Sequence, residues 1–81
     1  MGRKDRLFEE FMNAKIFDYN DFVTMMGHLG YIKIEKEGSR VQFYNKDLDH
    51  MVHLHSPHPQ KELKPGVMKA IKKQLETAGI E

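Results

Sequence analysis

The apolar residues of this 81-residue chain change their spacing twice, and those changes restrict the fold more than any other feature. Up to Leu29 they recur at helical spacing, from Tyr31 to His55 they alternate with polar residues, and after Pro65 helical spacing returns. Spacing of three to four residues predicts amphipathic helices, whereas alternation predicts half-buried strands. The chain is therefore predicted to contain two helices, then three strands, then a final helix.

Each predicted helix carries one apolar stripe, the pattern of a helix that covers a core or a partner. The first two helices are predicted over residues 4–13 and 20–29, and Asn20 or Asp18 can cap the second by accepting backbone N–H bonds. Gly30 follows where a left-handed residue commonly ends a helix. The residues expected to be buried in the last two helices are Phe22, Val23, Met26, Leu29, Val67, Met68, Ile71 and Leu75. The stripe of the first helix consists of Leu7, Phe8, Phe11 and Met12, and the sequence leaves open whether this helix packs on the domain or forms an assembly contact.

Three short strands are predicted over residues 31–35, 40–44 and 50–55, and the short turns between them indicate an antiparallel meander. Alternation assigns one face of this sheet to the core. The residues expected to face inward are Ile32, Ile34, Val41, Phe43, Val52 and Leu54, and those expected to face outward are Lys33, Glu35, Arg40, Gln42, Tyr44, Met51, His53 and His55. The predicted fold class is α+β, a two-layer sandwich with helices on one face of the sheet and the other face open.

Composition restricts the class of protein. A chain of 81 residues is sufficient for one small domain, and the absence of cysteine excludes a disulfide scaffold and thiolate zinc sites. No apolar run approaches the roughly 20 residues of a membrane-spanning helix. The charged start, residues 2–6, has no apolar segment behind it, so no secretory signal is expected there. A cytoplasmic protein with no membrane partner is expected.

Positive charge is concentrated near the end of the chain. The net charge is only +1, but between Lys61 and Lys73 five lysines accompany one glutamate. A local basic patch can bind phosphates even on a nearly neutral protein. The candidate phosphate contacts are Lys61, Lys64 and Lys69. The alternative is a solvated helix face, and Lys69, Lys72 and Lys73 are expected to point to water.

Three histidines, His53, His55 and His58, fall within six positions at the end of the third predicted strand. Imidazole can both accept and donate a proton near neutral pH. Together with the neighbouring cations, these residues fit cleavage of a phosphate ester, metal binding or docking of a charged partner. Three histidines can hold zinc, but no carboxylate or cysteine stands at a convincing spacing beside them, so no metal or other cofactor is expected.

Four short motifs in order resemble the HicA toxins, the small RNA-cleaving halves of bacterial HicA–HicB toxin–antitoxin pairs. The motifs are Gly30-Tyr31, Gly38-Ser39, Glu62-Leu63-Lys64-Pro65-Gly66 and Ala78-Gly79-Ile80. The similarity covers about residues 19–80. Residues 1–17 are interpreted as an N-terminal helical extension and residues 18–81 as a HicA-like domain. The resemblance implies a fold like the double-stranded-RNA-binding domain (α-β-β-β-α), metal-independent cleavage of mRNA, and inhibition by a HicB-type antitoxin.

One position departs from the family pattern. Where the family has Gly-Ser-His at the start of the second strand, with a catalytic histidine, this chain has Arg40. Arginine stays protonated, so it cannot act as a general base, but it can bind the scissile phosphate and stabilise developing charge. His58 matches a second histidine that is often seen before the Lys-Glu-Leu stretch.

We therefore expect His55 and His58 to share the acid and base roles in attack of an RNA 2′-hydroxyl on the adjacent phosphorus. Arg40 is expected to hold that phosphate, and Tyr44 is expected to stack on a base. The alternative is a catalytically impaired module that binds RNA or its antitoxin without cleaving. The sequence leaves the oligomeric state open.

Overall fold

The computed structural model describes residues 6–57 and 61–80. The elements are α1 (Arg6–Asn13), β1 (Phe17–Asp18), α2 (Tyr19–His28), β2 (Tyr31–Glu35), β3 (Arg40–Asn45), β4 (His50–His55), β5 (Glu62–Leu63) and α3 (Pro65–Thr77). The predicted order of two helices, three strands and a helix is confirmed. Two elements, β1 and β5, were not predicted.

Strands β2, β3 and β4 form an antiparallel sheet in that order. The turns that join them need left-handed backbone, which Gly38 adopts between β2 and β3 with φ 69° and Asp49 adopts before β4 with φ 50°. Aspartate is one of the few side-chain-bearing residues that tolerate this region. The helices pack on one face of the sheet and the other face is open, which gives the predicted two-layer α+β sandwich of the double-stranded-RNA-binding-domain kind.

The predicted orientation of β2 is wrong. In an antiparallel pair, residues directly opposite each other share a face. Ile32 pairs with Tyr44 and Ile34 pairs with Gln42, so both isoleucines lie on the open face, and Ile32 is 61% exposed. Tyr31 faces the core instead and is buried. Because β2 has apolar residues on both faces, its alternation fitted either orientation, and only its register with β3 decides between them.

The core lies between the sheet and the helices, and its centre is aromatic. The ring of Phe11 lies 5.2 Å from that of Phe17 and 5.6 Å from that of Phe22, which in turn lies 5.3 Å from that of Phe43. These separations favour aromatic attraction beyond simple burial. Because Phe11 of α1 is fully buried in this core, α1 packs with the rest of the chain. The domain boundary after residue 17 stays a prediction.

Three predictions about the helices need correction. Met25 is fully buried although it was not among the residues expected to be buried, and Val67 was expected to be buried but is 37% exposed. Lys72 was expected to face water but is half-buried, donates from Nζ to the carbonyl oxygen of Ala14 at 2.8 Å and lies 5.7 Å from the ring centre of Phe11. The carbonyls beyond the end of a helix lack intrahelical donors, which explains why a lysine reaches one there.

The two short strands fix the segment before α3. Phe17 of β1 pairs with Leu63 of β5, and the backbone N–H of Tyr19 donates to the carbonyl of Lys61 at 2.9 Å. This pairing attaches the β5–α3 junction to the start of α2. Within the described residues, no helix has the length and apolar character needed to cross a bilayer.

Candidate nucleic-acid interface

The open face of the sheet is arranged in three rows that run across the strands. The first row is apolar and the last is basic. The rows, in order, are Ile32–Tyr44–Met51, then Ile34–Gln42–His53, then Arg40–His55. At about 3.3 Å per residue along a strand, the first and last rows are roughly 13 Å apart. A single strand of nucleic acid that crosses the face would meet aromatic and aliphatic side chains at one end and cationic groups at the other.

Arg40 and His55 lie directly opposite each other on β3 and β4, and both side chains are exposed. Residues paired in this way have Cβ atoms about 4.5–5.5 Å apart. Just beyond the pair, the backbone N–H of Ser56 donates to the carbonyl of Ser39 at 2.7 Å, which holds the two chain segments together. The predicted phosphate-binding residue and one of the predicted acid–base residues are therefore neighbours.

The other predicted acid–base residue, His58, lies outside the described residues. His53 shares the open face with His55, but it stands in the middle row, where its Nδ1 lies 3.4 Å from Nε2 of Gln42. Within residues 6–57 and 61–80, no three histidine or carboxylate side chains are grouped to hold a metal ion.

Gln74 of α3 binds the backbone of His53 from the outer edge of the sheet. Its Oε1 accepts from the N–H of His53 at 3.1 Å, and its Nε2 donates to the carbonyl of His53 at 3.2 Å. A side-chain amide thus takes the place of a neighbouring strand at this edge. Unpaired edges invite other chains to pair with them, so α3 protects the β4 edge at this point.

Tyr44 occupies the centre of the apolar row. Its hydroxyl donates to Oδ1 of Asp49 at 3.1 Å, and this hydrogen bond raises the pKa of Tyr44 above 10.0. The phenol is therefore neutral at physiological pH, and its hydroxyl is attached to the following turn. Ile32 and Met51 flank Tyr44 on the neighbouring strands. Aromatic side chains on an exposed sheet suit stacking with unpaired bases.

The predicted lysine contacts lie on a different part of the molecule. Lys61, Lys64 and Lys69 are all exposed, but they belong to the β5–α3 segment and not to the open face. Lys64 is the N-cap residue of α3 and makes no side-chain capping bond. These side chains are therefore not part of the three rows.

A depression of about 190 Å³ lies at the turn end of the sheet, beside Arg40. We call it the lysine depression; it is lined by Tyr19, Lys33, Glu35, Lys36, Gly38, Arg40, Val41 and Ser56. The Nζ of Lys33 lies 3.1 Å from Oε2 of Glu35 and 5.6 Å from the ring centre of Tyr19. The hydrogen bond to Glu35 raises the pKa of Lys33 above 10.5.

This depression was not predicted from the sequence. Lys33 was expected on the open face because the orientation of β2 was predicted wrongly, and no role was predicted for Lys36. The available signal was a run of three cations around one hairpin turn, at Lys33, Lys36 and Arg40.

By its architecture and its site, the protein is a small α+β domain with a fold like the double-stranded-RNA-binding domain and a polar, partly basic open sheet face. A family model described as the HicA toxin of bacterial toxin–antitoxin systems matches residues 19–80. The chain belongs to the HicA toxin family, so it is the toxin of a toxin–antitoxin system and has an antitoxin partner. No curated protein and no solved structure matches the chain significantly. The matched region begins at α2 and leaves α1 outside.

Proposed function

We propose that this toxin is an endoribonuclease that cleaves mRNA in the cytoplasm without a metal ion and is inhibited by a HicB-type antitoxin. The observation that carries the proposal is the direct pairing of Arg40 with His55 on the open face. This pair places a guanidinium beside an imidazole, a side chain that enzymes use as a general acid or base.

The proposed reaction is an intramolecular transesterification. One imidazole removes the proton of an RNA 2′-hydroxyl, whose oxygen forms a bond to the adjacent phosphorus. The bond from phosphorus to the 5′-oxygen breaks, and a second imidazole protonates that oxygen. His55 and His58 share these two tasks, each contributing roughly 10²–10⁴-fold. Arg40 binds the phosphate and stabilises the charge that develops on its oxygens.

The rest of the open face supports binding of the RNA strand. A base next to the cleaved linkage stacks on Tyr44, with Ile32 and Met51 extending the apolar surface on either side. Lys61, Lys64 and Lys69 contact phosphates farther along the RNA, since they belong to another part of the molecule. Binding through cations and stacking tolerates many sequences, as expected of an enzyme that acts on many messages.

The proposal is tested by incubating the purified toxin with single-stranded and duplex RNA in the presence of a chelator. Cleavage that leaves a 2′,3′-cyclic phosphate is expected. The double variant His55→Ala/His58→Ala is expected to lose at least roughly 10²-fold in rate. His53→Ala is the matched control, because it removes an imidazole from the same face of the same strand and is expected to change the rate little. Unchanged cleavage by the double variant would reject the acid–base assignment, and cleavage abolished by the chelator would indicate a metal-dependent enzyme.

A second candidate function follows from the resemblance, which implies a catalytic histidine at the position that Arg40 occupies in this chain. In this alternative the protein keeps the fold and binds RNA, or its antitoxin, without cleaving. The variant Arg40→His restores the family pattern and separates the two cases. If the natural protein binds RNA without cleaving it and Arg40→His cleaves, the impaired module is correct. If the natural protein cleaves and Arg40→Ala does not, the nuclease is correct.

The proposed mode of inhibition is occlusion. A HicB-type antitoxin that covers Arg40 and His55 blocks the reaction with no change in the toxin's fold. Co-expression with a HicB-like protein from a neighbouring reading frame should yield a complex in which RNA and antitoxin compete. A complex that still cleaves RNA at the full rate would rule out occlusion of this face.

A further inference from the structure

We propose that the lysine depression binds the phosphate of the nucleotide next to the scissile linkage, through Lys33 and Lys36. This subsite rests on the proposed RNA cleavage and extends it, because it names a second point of contact for the substrate. Its ligand is a single phosphodiester group of an RNA strand.

The position of the depression connects it to the cleavage site. Arg40 lines the depression and also pairs with His55, and Ser56, another lining residue, directly follows His55 in the chain. The depression and the Arg40–His55 pair thus meet at one end of the sheet, although Lys33 pairs with Phe43 and so lies on the core face, opposite the Arg40–His55 pair. In the proposed subsite, an RNA strand whose scissile phosphate lies at Arg40 bends around this end of the sheet, so that its next phosphate reaches the two lysines.

The charge of the depression suits an anion. Three cationic residues line it, accompanied by one carboxylate, while the whole chain carries a net charge of only +1. Concave surfaces lined by charges of one sign concentrate the electrostatic field. Tyr19 also lines the depression, and the Nζ of Lys33 lies 5.6 Å from the centre of its ring.

Glu35 makes the subsite testable, because its carboxylate competes with phosphate for Lys33. It pairs with Lys33, and the side chains of the pair are 33% exposed for Lys33 and 72% exposed for Glu35. Exposed ion pairs are weak because water screens them. A phosphate of RNA can therefore replace Glu35 as the partner of Lys33, so the carboxylate and the RNA compete for this lysine. Removing a charge of Lys36 should weaken RNA binding, whereas removing the charge of Glu35 should strengthen it.

The test measures the affinity of the toxin for a fully 2′-O-methylated single-stranded RNA of mixed sequence, which cannot be cleaved. Lys36→Ala is expected to weaken binding roughly 5- to 10-fold. It should also reduce the slope of log affinity against log salt by about 0.7, the value for one phosphate contact in a single strand. Lys46→Ala is the matched control, since it removes an equal charge from the other hairpin of the same sheet.

Glu35→Gln is expected to strengthen binding roughly 2- to 5-fold, whereas Glu76→Gln, an equal change of charge on α3, is expected to have a smaller effect. If the natural toxin binds RNA and Lys36→Ala behaves like Lys46→Ala, the subsite is wrong and the proposed function stands. If Glu35→Gln strengthens binding no more than Glu76→Gln does, the competition with Lys33 is wrong. If the natural toxin neither binds nor cleaves RNA, the proposed function fails and the subsite fails with it.

Discussion

The two faces of the sheet are made by the same three strands but have opposite environments. On the core face, Phe43 and Val52 are almost completely buried, whereas on the open face Arg40, His53 and His55 are exposed. Because successive residues of a strand point to opposite sides, almost every candidate functional residue is next in sequence to a core residue.

Because of this alternation, neighbouring residues of one strand contribute either to the stability of the fold or to the exposed surface. A change on the core face alters the packing that holds the sheet to the helices. A change on the open face alters a surface that contacts solvent and, in our proposal, RNA. Substitutions at neighbouring positions of one strand should therefore have unrelated consequences, and the following experiments test that separation.

The largest effect is expected for Phe43→Ala. The ring is 1% exposed and contacts Phe22 in the aromatic centre of the core, so its loss leaves a cavity. The expected cost in the free energy of unfolding is about 3–5 kcal/mol, a large share of the stability of a small domain. Urea unfolding followed by circular dichroism measures it. Ile32→Ala on the open face is the control and should cost less than about 1 kcal/mol. An equal cost at Ile32 would mean that the open face is packed against something.

A smaller effect is expected for the amides of β3, one on each face. Asn45 is buried, donates to the carbonyl of Leu29 at 3.0 Å and accepts from the N–H of Leu48 at 3.0 Å. Asn45→Ala leaves both backbone groups without a partner and should cost about 1–3 kcal/mol in the free energy of unfolding. Gln42→Ala, on the open face of the same strand, should cost less than about 0.5 kcal/mol. If the two variants unfold at equal urea concentrations, the faces do not differ as described.

Gln74→Ala tests whether the edge of the open face depends on the helical layer. Losing the two hydrogen bonds to the backbone of His53 should cost about 1–2 kcal/mol, measured by urea unfolding. It should also expose the β4 edge and cause concentration-dependent association on size-exclusion chromatography. Gln74→Glu keeps the acceptor but loses the donor, so it should be intermediate. A monomeric Gln74→Ala protein of unchanged stability would show that this edge needs no protection.

The smallest effect concerns the ionisation of two tyrosines, one on each face. Burial raises the pKa of Tyr31 on the core face, whereas the hydrogen bond to Asp49 raises the pKa of Tyr44 on the open face. A raised pKa means that folding favours the neutral phenol. The resulting stability is fully present below the unfolded value of 10.0 and is lost as the pH rises through the folded pKa.

Nuclear magnetic resonance titration of the individual tyrosine rings should distinguish the two causes. Asp49→Asn should lower the pKa of Tyr44 toward 10.0 and leave that of Tyr31 raised. Asparagine also tolerates the left-handed backbone at this position. If Asp49→Asn moves both tyrosines equally, the two faces are electrostatically coupled through the sheet.

Much of the fold could be predicted because its signals are local. Asp18 caps α2 by accepting from the N–H of Asp21, and Gly30 and Gly38 adopt the left-handed backbone that their positions require. Caps and turns of this kind depend on a few adjacent residues. The orientation of β2 could not be predicted in this way, because Tyr31 and Ile32 offered an apolar residue to each face.

The candidate site also has a part that local sequence predicts and a part that depends on tertiary structure. The sequence placed Arg40 and His55 on the outer face of their strands, and the structure confirms this, but only the register of β3 with β4 puts them opposite each other. The lysine depression needs Tyr19 from α2 and Ser56 from the end of β4. No motif spans such separations, so the run of cations around one hairpin turn was the available reason to group Lys33 with Lys36.

By itself, the sequence determined the order of the elements, the positions of the turns and the family, since each depends on residues close together in the chain. The tertiary structure alone decided which face of β2 is buried, that α1 joins the core, and which cations surround Arg40. The physical reason is that a strand with apolar residues on both sides can bury either face at a similar gain in free energy. Val41 and Phe43 fix the buried face of β3, and the pairing of β2 with β3 then decides which face of β2 is buried.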